Sequence, residues 1–323
     1  MRVEPFRYQS SWAWRAVPHF VSGLLGRRLL ALAALISFDA DQSGRCQWLR
    51  RVAPAGEGAN VVGRVPAAGR RERTLVLVAH HDAAQTGLMW RHPWLSGGPI
   101  SADEVAPFAA GPELGLALVA LGFRRLGLAL LGVALYGAID VARSPTVPGA
   151  SDNATGVAAV LALVERFAAA PLAGTEVVAL FPGCEESGMG GMAAWIRAPE
   201  ARGLDPERTL VLGLDTLGAG EPAVLAAEGP PRRQCYRAAD LAWADRGAAR
   251  AGLPPPGRFT IGGWTDPVLA LEAGLPAISL VSVRGSGFTN YHLPTDTPDR
   301  VDWRSVEACT RLAAAIVAEF ARL

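Results

Sequence analysis

Along most of this chain, short continuous apolar runs alternate with longer segments whose apolar residues recur every three to four positions. Residues 74–79 (TLVLVA), 176–181 (EVVALF), 209–214 (TLVLGL) and 277–283 (AISLVSV) have the length and apolar density of strands covered on both faces. Segments 155–169, 189–197, 233–251 and 304–323 carry the helical period, and the alanine-rich last one reads as a closing layer. That alternation predicts an α/β fold, a mixed and mostly parallel central sheet with helices on both faces in a three-layer sandwich. No internal repeat interrupts it, and the tract 254–256 (PPP) reads as a loop.

Two stretches, 21–38 and 115–139, are more apolar than such a core requires, and each is interrupted by an arginine pair, Arg27-Arg28 and Arg124-Arg125. The pieces left on either side fall short of the roughly 20 residues of a spanning helix. Arginine near mid-bilayer costs at least about 2.5 kcal/mol, whereas at a headgroup boundary it snorkels at little cost. An interfacial hairpin, or a helical pair hidden in a protein contact, suits the pattern better than a span; ordinary buried helices give the same pattern. Peripheral membrane contact or a homo-oligomer through 115–139 and 21–38 is the partner expectation. Their shared apolar, Arg-Arg, apolar arrangement suggests that the two stretches pack together.

Composition narrows the chemistry. Of 323 residues, 50% are hydrophobic and 19% charged, against about 25% charged in an ordinary soluble domain, so disorder and coiled coil fit poorly. Thirty-one basic residues face 30 acidic ones, a net charge of +1, which leaves no case for nucleic-acid binding through phosphate neutralisation. Every basic residue is arginine; a catalytic lysine, a Schiff base and a P-loop are thereby excluded. The cysteines, Cys46, Cys184, Cys235 and Cys309, form no CxxC pair and no disulfide pattern. The opening MRVEPFRYQSSWAWRAVPHF lacks the plan of a conventional signal peptide. All-arginine usage with abundant Ala and Gly suggests a GC-rich bacterial genome, and a cytoplasmic or membrane-associated location stays open.

The residues that follow the strands carry the chemistry, because ligands of open α/β sheets gather beyond the strands' carboxyl ends. The first run leads into His80-His81-Asp82, the second into Cys184-Glu185-Glu186, the third into Asp215, and a loop after the fourth holds Tyr291-His292. Between the first two runs lies GASDNATG, residues 149–156, with Asp152 just ahead of a helix. Taken singly, Asp152 reads as a helix N-cap, the glutamates as a solvated turn and His292 as a surface histidine. Asp215 ends a strand expected to be buried and needs a partner. Together, crowded carboxylates beside imidazoles ask for divalent metal, zinc by donor type, with cobalt or manganese as substitutes. The donor count fits two ions sharing one carboxylate, with a glutamate left as base and an aspartate left to orient a histidine.

At this point the chain resembles the di-zinc aminopeptidases, the family of bacterial leucyl aminopeptidases with glutamate carboxypeptidase and glutaminyl cyclase as more distant members. The resemblance rests on six ordered motifs: AHHD (79–82), PGASDNATGV (148–157), CEESGMGG (184–191), GLDTLG (213–218), GGWTDPVLALEAGLPAISL (262–280) and YHLPTDTPDRVD (291–302). It implies His80 and Asp215 on one zinc, Glu186 and His292 on the other, and Asp152 bridging both. It further implies Glu185 as general base, Asp82 orienting His80, and a peptide with a free amino terminus as substrate. His81 occupies the variable position of the first motif. Tyr291 would either donate to the oxyanion or simply pack, and the segment around Trp264 and Thr265 would line the side-chain pocket.

The chain departs from that family in separating Asp82 from Asp152 by 70 positions, where a short loop is usual. The implied organisation is an apolar extension at 1–55, a catalytic domain at 56–323 and an inserted apolar segment at about 88–147, acting as lid, dimer contact or membrane-seeking hairpin. Two other readings belong to the same fold, a single-zinc glutaminyl cyclase-like enzyme and a metal-free binding or receptor domain.

Overall fold

In the computed structural model, which describes residues 1–52, 56–91, 107–229, 233–285 and 287–322, the four apolar runs are neighbours at the centre of one sheet. The strands are β1 (Arg2–Tyr8), β2 (Gly56–Val65), β3 (Ala68–Val78), β4 (Ala173–Phe181), β5 (Thr209–Leu214), β6 (Glu221–Glu228), β7 (Gln234–Cys235), β8 (Gly257–Ile261) and β9 (Ala277–Val283). Their spatial order is β1-β2-β4-β3-β5-β9-β6-β7, with β8 also paired to β6. The inner strands β4, β3, β5 and β9 are parallel; β1, β2 and β6 join antiparallel. Leu75, Val76, Leu77, Leu210, Val211 and Leu212 are fully buried, as continuous apolar runs covered on both faces require. The expected mixed, mostly parallel sheet with helices on both faces is therefore present.

The outer strands were less legible because they alternate exposed and buried positions, as in β1 and β2. The first run also extends backwards: β3 begins at Ala68 with the exposed residues Gly69, Arg70, Arg71 and Glu72, and Arg71 pairs with Glu176 of β4 at 3.2 Å.

Nine of the described helices matter here: α1 (Ala13–Leu24), α2 (Arg28–Gln42), α3 (Pro107–Leu121), α4 (Arg124–Arg143), α5 (Thr155–Ala169), α6 (Gly190–Arg197), α7 (Ala238–Arg250), α8 (Pro267–Glu272) and α9 (Trp303–Phe320). Helices α5, α7 and α9 cover one face of the sheet, while α6 and α8 cover the other. Helix α7 starts five residues later than the periodicity suggests, because Gln234 and Cys235 are taken into β7, pairing with Glu228 and Ala227.

A second, separate core sits beside this sandwich. The stretches 21–38 and 115–139 each fold as a helical hairpin, α1–α2 and α3–α4, and the hairpins pack into a four-helix ring in which α1 contacts α2 and α4, and α3 contacts the same two. Phe20, Ala31, Leu116, Val119 and Leu131 are buried at its centre. The approach of α3 to α4 is close: a Cβ on Gly127 would lie 2.8 Å from the Gly115 carbonyl oxygen, so only glycine permits this backbone contact. The two apolar stretches thus satisfy each other within one chain. Nor is the segment before β2 a separate appendage, since β1 forms the sheet edge along β2 and α1 and α2 build half the bundle. The motif RHPWLSGGP continues from Arg91 into 92–99, which lie outside the described residues.

Candidate metal centre

His80, Asp152, Glu185, Glu186, Asp215 and His292 converge on one place, and His81 does not. His80 follows β3, Asp215 directly follows β5 with its N–H donating to the Leu280 carbonyl at 3.0 Å, and Glu185 and Glu186 sit on the turn between β4 and α6. Asp152 lies in the irregular turn Ala150–Ala154 that feeds α5. It does not cap the helix: the N-cap position is Ala154, with no side-chain cap bond. Instead its two carboxylate oxygens face opposite histidines, Oδ1 at 3.2 Å from His80 Nε2 and Oδ2 at 3.2 Å from His292 Nε2. Asp215 Oδ2 lies 3.8 Å from His80 Nε2, and Glu186 Oε2 lies 3.1 Å from His292 Nε2.

Two donor triads follow, His80-Asp152-Asp215 and Asp152-Glu186-His292, each with its ligand atoms within 4.8 Å of one another, and they share Asp152. A third grouping links His80 to Glu185 and Glu186. His80, Asp152, Glu185 and His292 are all buried, so Glu185 is no solvated turn residue. His81 is different: exposed, its Nε2 meets the Ala59 carbonyl oxygen at 3.0 Å and faces away from the cluster.

The electrostatics without a cation are adverse. Burial pushes the Glu186 carboxyl up to about 7 and Asp215 up to about 6, each opposed by a histidine and aggravated by Asp152. Burial likewise drives Glu185 well above the ordinary range. Burial alone would lower His292, but Glu186 and Asp152 outweigh it and hold the imidazole at about 10. His292 Nε2 and Glu186 Oε1 are buried without any hydrogen-bond partner. Unpaired buried donors and acceptors of this kind, carboxylate and imidazole facing each other, suit divalent cations. The residues present fit the metal that the donor set implies.

The surrounding bonds decide where these side chains point. His80 Nδ1 meets the backbone carbonyl oxygen of Asp82 at 3.0 Å, whereas the nearest Asp82 carboxylate oxygen is 3.6 Å away. The imidazole is thus held with Nδ1 protonated and Nε2 facing Asp152. The Asp82 carboxylate is occupied elsewhere: Oδ1 accepts the Glu185 N–H at 3.0 Å and Oδ2 the Glu186 N–H at 3.2 Å. Thr216 donates to Asp215 Oδ1 at 2.8 Å. Asn153 ties the Asp152 turn to β5, donating to the Leu214 carbonyl and accepting from Gly156 and Thr216 N–H groups.

Several contributors were not singled out in the sequence. Asp296, buried in the YHLPTDT motif, accepts the N–H of Ser151 at 2.8 Å and of Asp152 at 3.1 Å. Its position in a quoted motif was the available signal. Asp266 stands at the start of α8, where an N-cap is the ordinary reading, yet it makes no cap bond; both its oxygens are buried and unpartnered. Trp90 packs edge-on against both His292, ring centroids 4.5 Å apart, and Tyr291, at 5.6 Å, while Tyr291 stacks on the same imidazole at 3.8 Å. Nothing in the local pattern marked a tryptophan 202 positions from that histidine. Arg15 and Arg50, from the N-terminal segment, share buried Asp41 at 2.7 and 3.1 Å. Arg15 also donates to the Ser187 carbonyl at 3.1 Å, and Arg50 to that of Gly188, so this cluster grips the turn bearing Glu185 and Glu186.

Beside Glu185, Glu186 and His292 a cavity of about 190 Å³ runs beneath the four-helix ring. Trp90 and Trp264 form its walls near the cluster; Phe20, Phe38 and Glu113 come from the helices, and Trp12 from the residue just before α1. Thr265, by contrast, turns inward, donating to Glu228 through both its N–H and its hydroxyl at 2.6 Å. The bundle is thus a wall of the same cavity that the donor cluster opens into.

Comparison with known proteins agrees with this geometry. The model of peptidase family M28 matches residues 129–317. No curated protein matches the chain in sequence. Among solved structures, a zinc aminopeptidase from Bacillus subtilis superposes with a TM-score of 0.53 at 17% identity, covering 82% of this chain and 51% of its own. This chain therefore spans about half the length of that enzyme. A glutaminyl cyclase from Bacteroides thetaiotaomicron superposes with a TM-score of 0.53 at 15% identity, covering 97% of this chain and 99% of its own. A leucine aminopeptidase precursor from the same organism gives 0.51 at 15% identity, covering 96% and 97%. At identities this low, these superpositions show a shared fold and nothing more.

Proposed function

The chain belongs to peptidase family M28, and from that premise we propose that it is a zinc-dependent aminopeptidase that holds two ions and removes residues from the free amino terminus of peptides. The observation that carries the reading is the position of Asp152 between His80 and His292, one oxygen toward each, as the shared member of two donor triads. His80 and Asp215 would hold one ion, Glu186 and His292 the other, and Asp152 both. Zinc bound there supplies Lewis acidity toward a substrate carbonyl and lowers the pKa of water.

The remaining steps belong to the chain's own residues. Glu185 is buried beside the cluster and is fixed by its backbone bond to Asp82. It accepts a proton from the attacking water and delivers it to the leaving nitrogen. Asp82 works through the glutamate turn, and through its carbonyl on His80, rather than through a carboxylate bond to that imidazole. Trp90 and Trp264 exclude water from the reacting carbonyl. Tyr291 is taken up in stacking on His292 and in ring contact with Phe288, which favours its packing role.

The test pairs metal analysis with turnover. The purified chain should hold two zinc ions and hydrolyse aminoacyl-nitroanilides, but not their amino-acetylated forms. Glu185→Gln should keep both ions and lose at least about a hundredfold in kcat. The nearly full-length likeness to a glutaminyl cyclase makes cyclisation the second reading. One ion per chain with conversion of glutaminyl peptides to pyroglutamyl products would establish it instead.

A further inference from the structure

The four-helix ring exposes far more apolar surface than the sheet domain does. Leu25, Leu29, Leu121, Phe123 and Leu126 are 58–83% exposed and cluster at one end, where the α1–α2 and α3–α4 turns lie side by side. Their adjacency is direct: Arg28 donates to the Ala120 and Leu121 carbonyls at 3.0 and 3.3 Å, and a Cβ on Gly26 would lie 2.5 Å from Arg124 Nε. Arg27, Arg28, Arg124 and Arg125 are therefore gathered at that tip, all exposed, and none has a carboxylate in ion-pair range among the described residues. Neither 5–38 nor 114–139 contains an acidic residue. The polar contacts inside the bundle, His19 with Ser37 and Arg15 with Asp41, involve the end of α2 far from the tip.

We propose that this tip docks on an anionic lipid surface, with Leu25, Leu29, Leu121, Phe123 and Leu126 entering the headgroup–acyl boundary while the four guanidinium groups engage lipid phosphates. An apolar patch of this concentration marks an interaction site. Its charge selects the occupant. Two copies meeting tip to tip would bring eight unneutralised arginines together, whereas anionic phosphate complements them. The fold also sets the depth. Helix α4, at 20 residues, is long and apolar enough to cross a bilayer, but α2, at 15 residues, rises only about 22 Å and cannot match a hydrocarbon core of about 30 Å. Shallow insertion keeps the arginines at the phosphates, where snorkelling costs little. The donor cluster, which the other end of the bundle walls, then stays in water.

Co-sedimentation of the full chain with phosphatidylcholine vesicles, with and without phosphatidylglycerol, tests this. Binding is expected on the anionic vesicles, weakening as salt is raised. Replacing Arg27, Arg28, Arg124 and Arg125 together by Gln should weaken it at least about tenfold. Leu29→Ser with Phe123→Ser should reduce binding comparably, and both variants should keep the wild-type circular dichroism and metal content. Absence of vesicle binding by the wild type, or undiminished binding by the arginine variant, overturns the proposal. So does a concentration-dependent dimer in sedimentation that Phe123→Ser dissolves without any vesicle binding, because a second copy would then be what covers the patch.

Discussion

Asp82 receives the backbone N–H of Glu185 on one carboxylate oxygen, at 3.0 Å, and the neighbouring N–H of Glu186 on the other, at 3.2 Å. One side chain from the end of β3 therefore sets the register of the turn that presents both glutamates. Asn at position 82 keeps one acceptor and turns an NH₂ toward an N–H donor, leaving a clash of like groups. Asp82→Asn should lower kcat/KM by about tenfold to a hundredfold with little change in melting temperature, measured by steady-state kinetics and differential scanning fluorimetry on the same preparation.

Asp296 does for Asp152 what Asp82 does for the glutamates, holding the N–H groups of Ser151 and Asp152. Asp296→Ala frees the turn without removing a metal donor. Zinc affinity, read by competition with a chromogenic chelator, should fall about tenfold to a hundredfold, and excess zinc should restore activity. Persistent inactivity at saturating zinc would show that Asp296 does more than position the turn.

Asp41 is fully buried between Arg15 and Arg50. Removing the carboxylate strands two guanidinium groups in the interior. Asp41→Asn should destabilise the fold by about 3–5 kcal/mol, seen as a lower urea midpoint. Because both arginines also hold carbonyls of the glutamate turn, activity should decline in the same variant at temperatures where it is still folded.

Glu113 points its Oε2, without a partner, into the buried space under the bundle, and burial pushes its carboxyl up to about 8. The unfolded chain loses that proton near pH 4.3. Between about pH 4.3 and 8 the folded state therefore binds a proton that the unfolded state has released, and stability falls as pH rises across that window. Glu113→Gln removes this dependence. Denaturant unfolding at pH 5 should find the two proteins within about 1 kcal/mol, while at pH 9 the Gln variant should be more stable by a few kcal/mol, of the order of 3. Equal slopes of stability against pH in both proteins would refute the assignment.

Strands β3, β4, β5 and β9 were legible because burial on both faces forces unbroken apolar runs, and α5 and α9 because their apolar positions keep the helical period. Strands β1, β2, β6 and β8 were not. Three of them are marked by a mixture of exposed and buried positions, and β6 is specified by pairing with partners distant in sequence. The convergence of His80, Glu185, Glu186 and Asp215 was readable because the carboxyl ends of parallel strands must share one edge; Asp152 and His292, in a turn and a loop, were placed with them by their motifs.

Residue type and order by themselves determined the sheet class and the edge where candidate donors gather, since both follow from local apolar pattern and strand direction, while the individual ligand roles rested on the resemblance of six motifs. Only the tertiary structure decided that Asp152 faces two imidazoles at once, that the Asp82 carboxylate bonds the glutamate turn while its backbone carbonyl bonds His80, that Trp90, Asp296 and Arg15 support the cluster, and that two separated apolar stretches close into one bundle over the cavity. Those relationships depend on distances between side chains remote along the chain. Such distances are set by packing and hydrogen-bond competition in three dimensions, which no local spacing encodes.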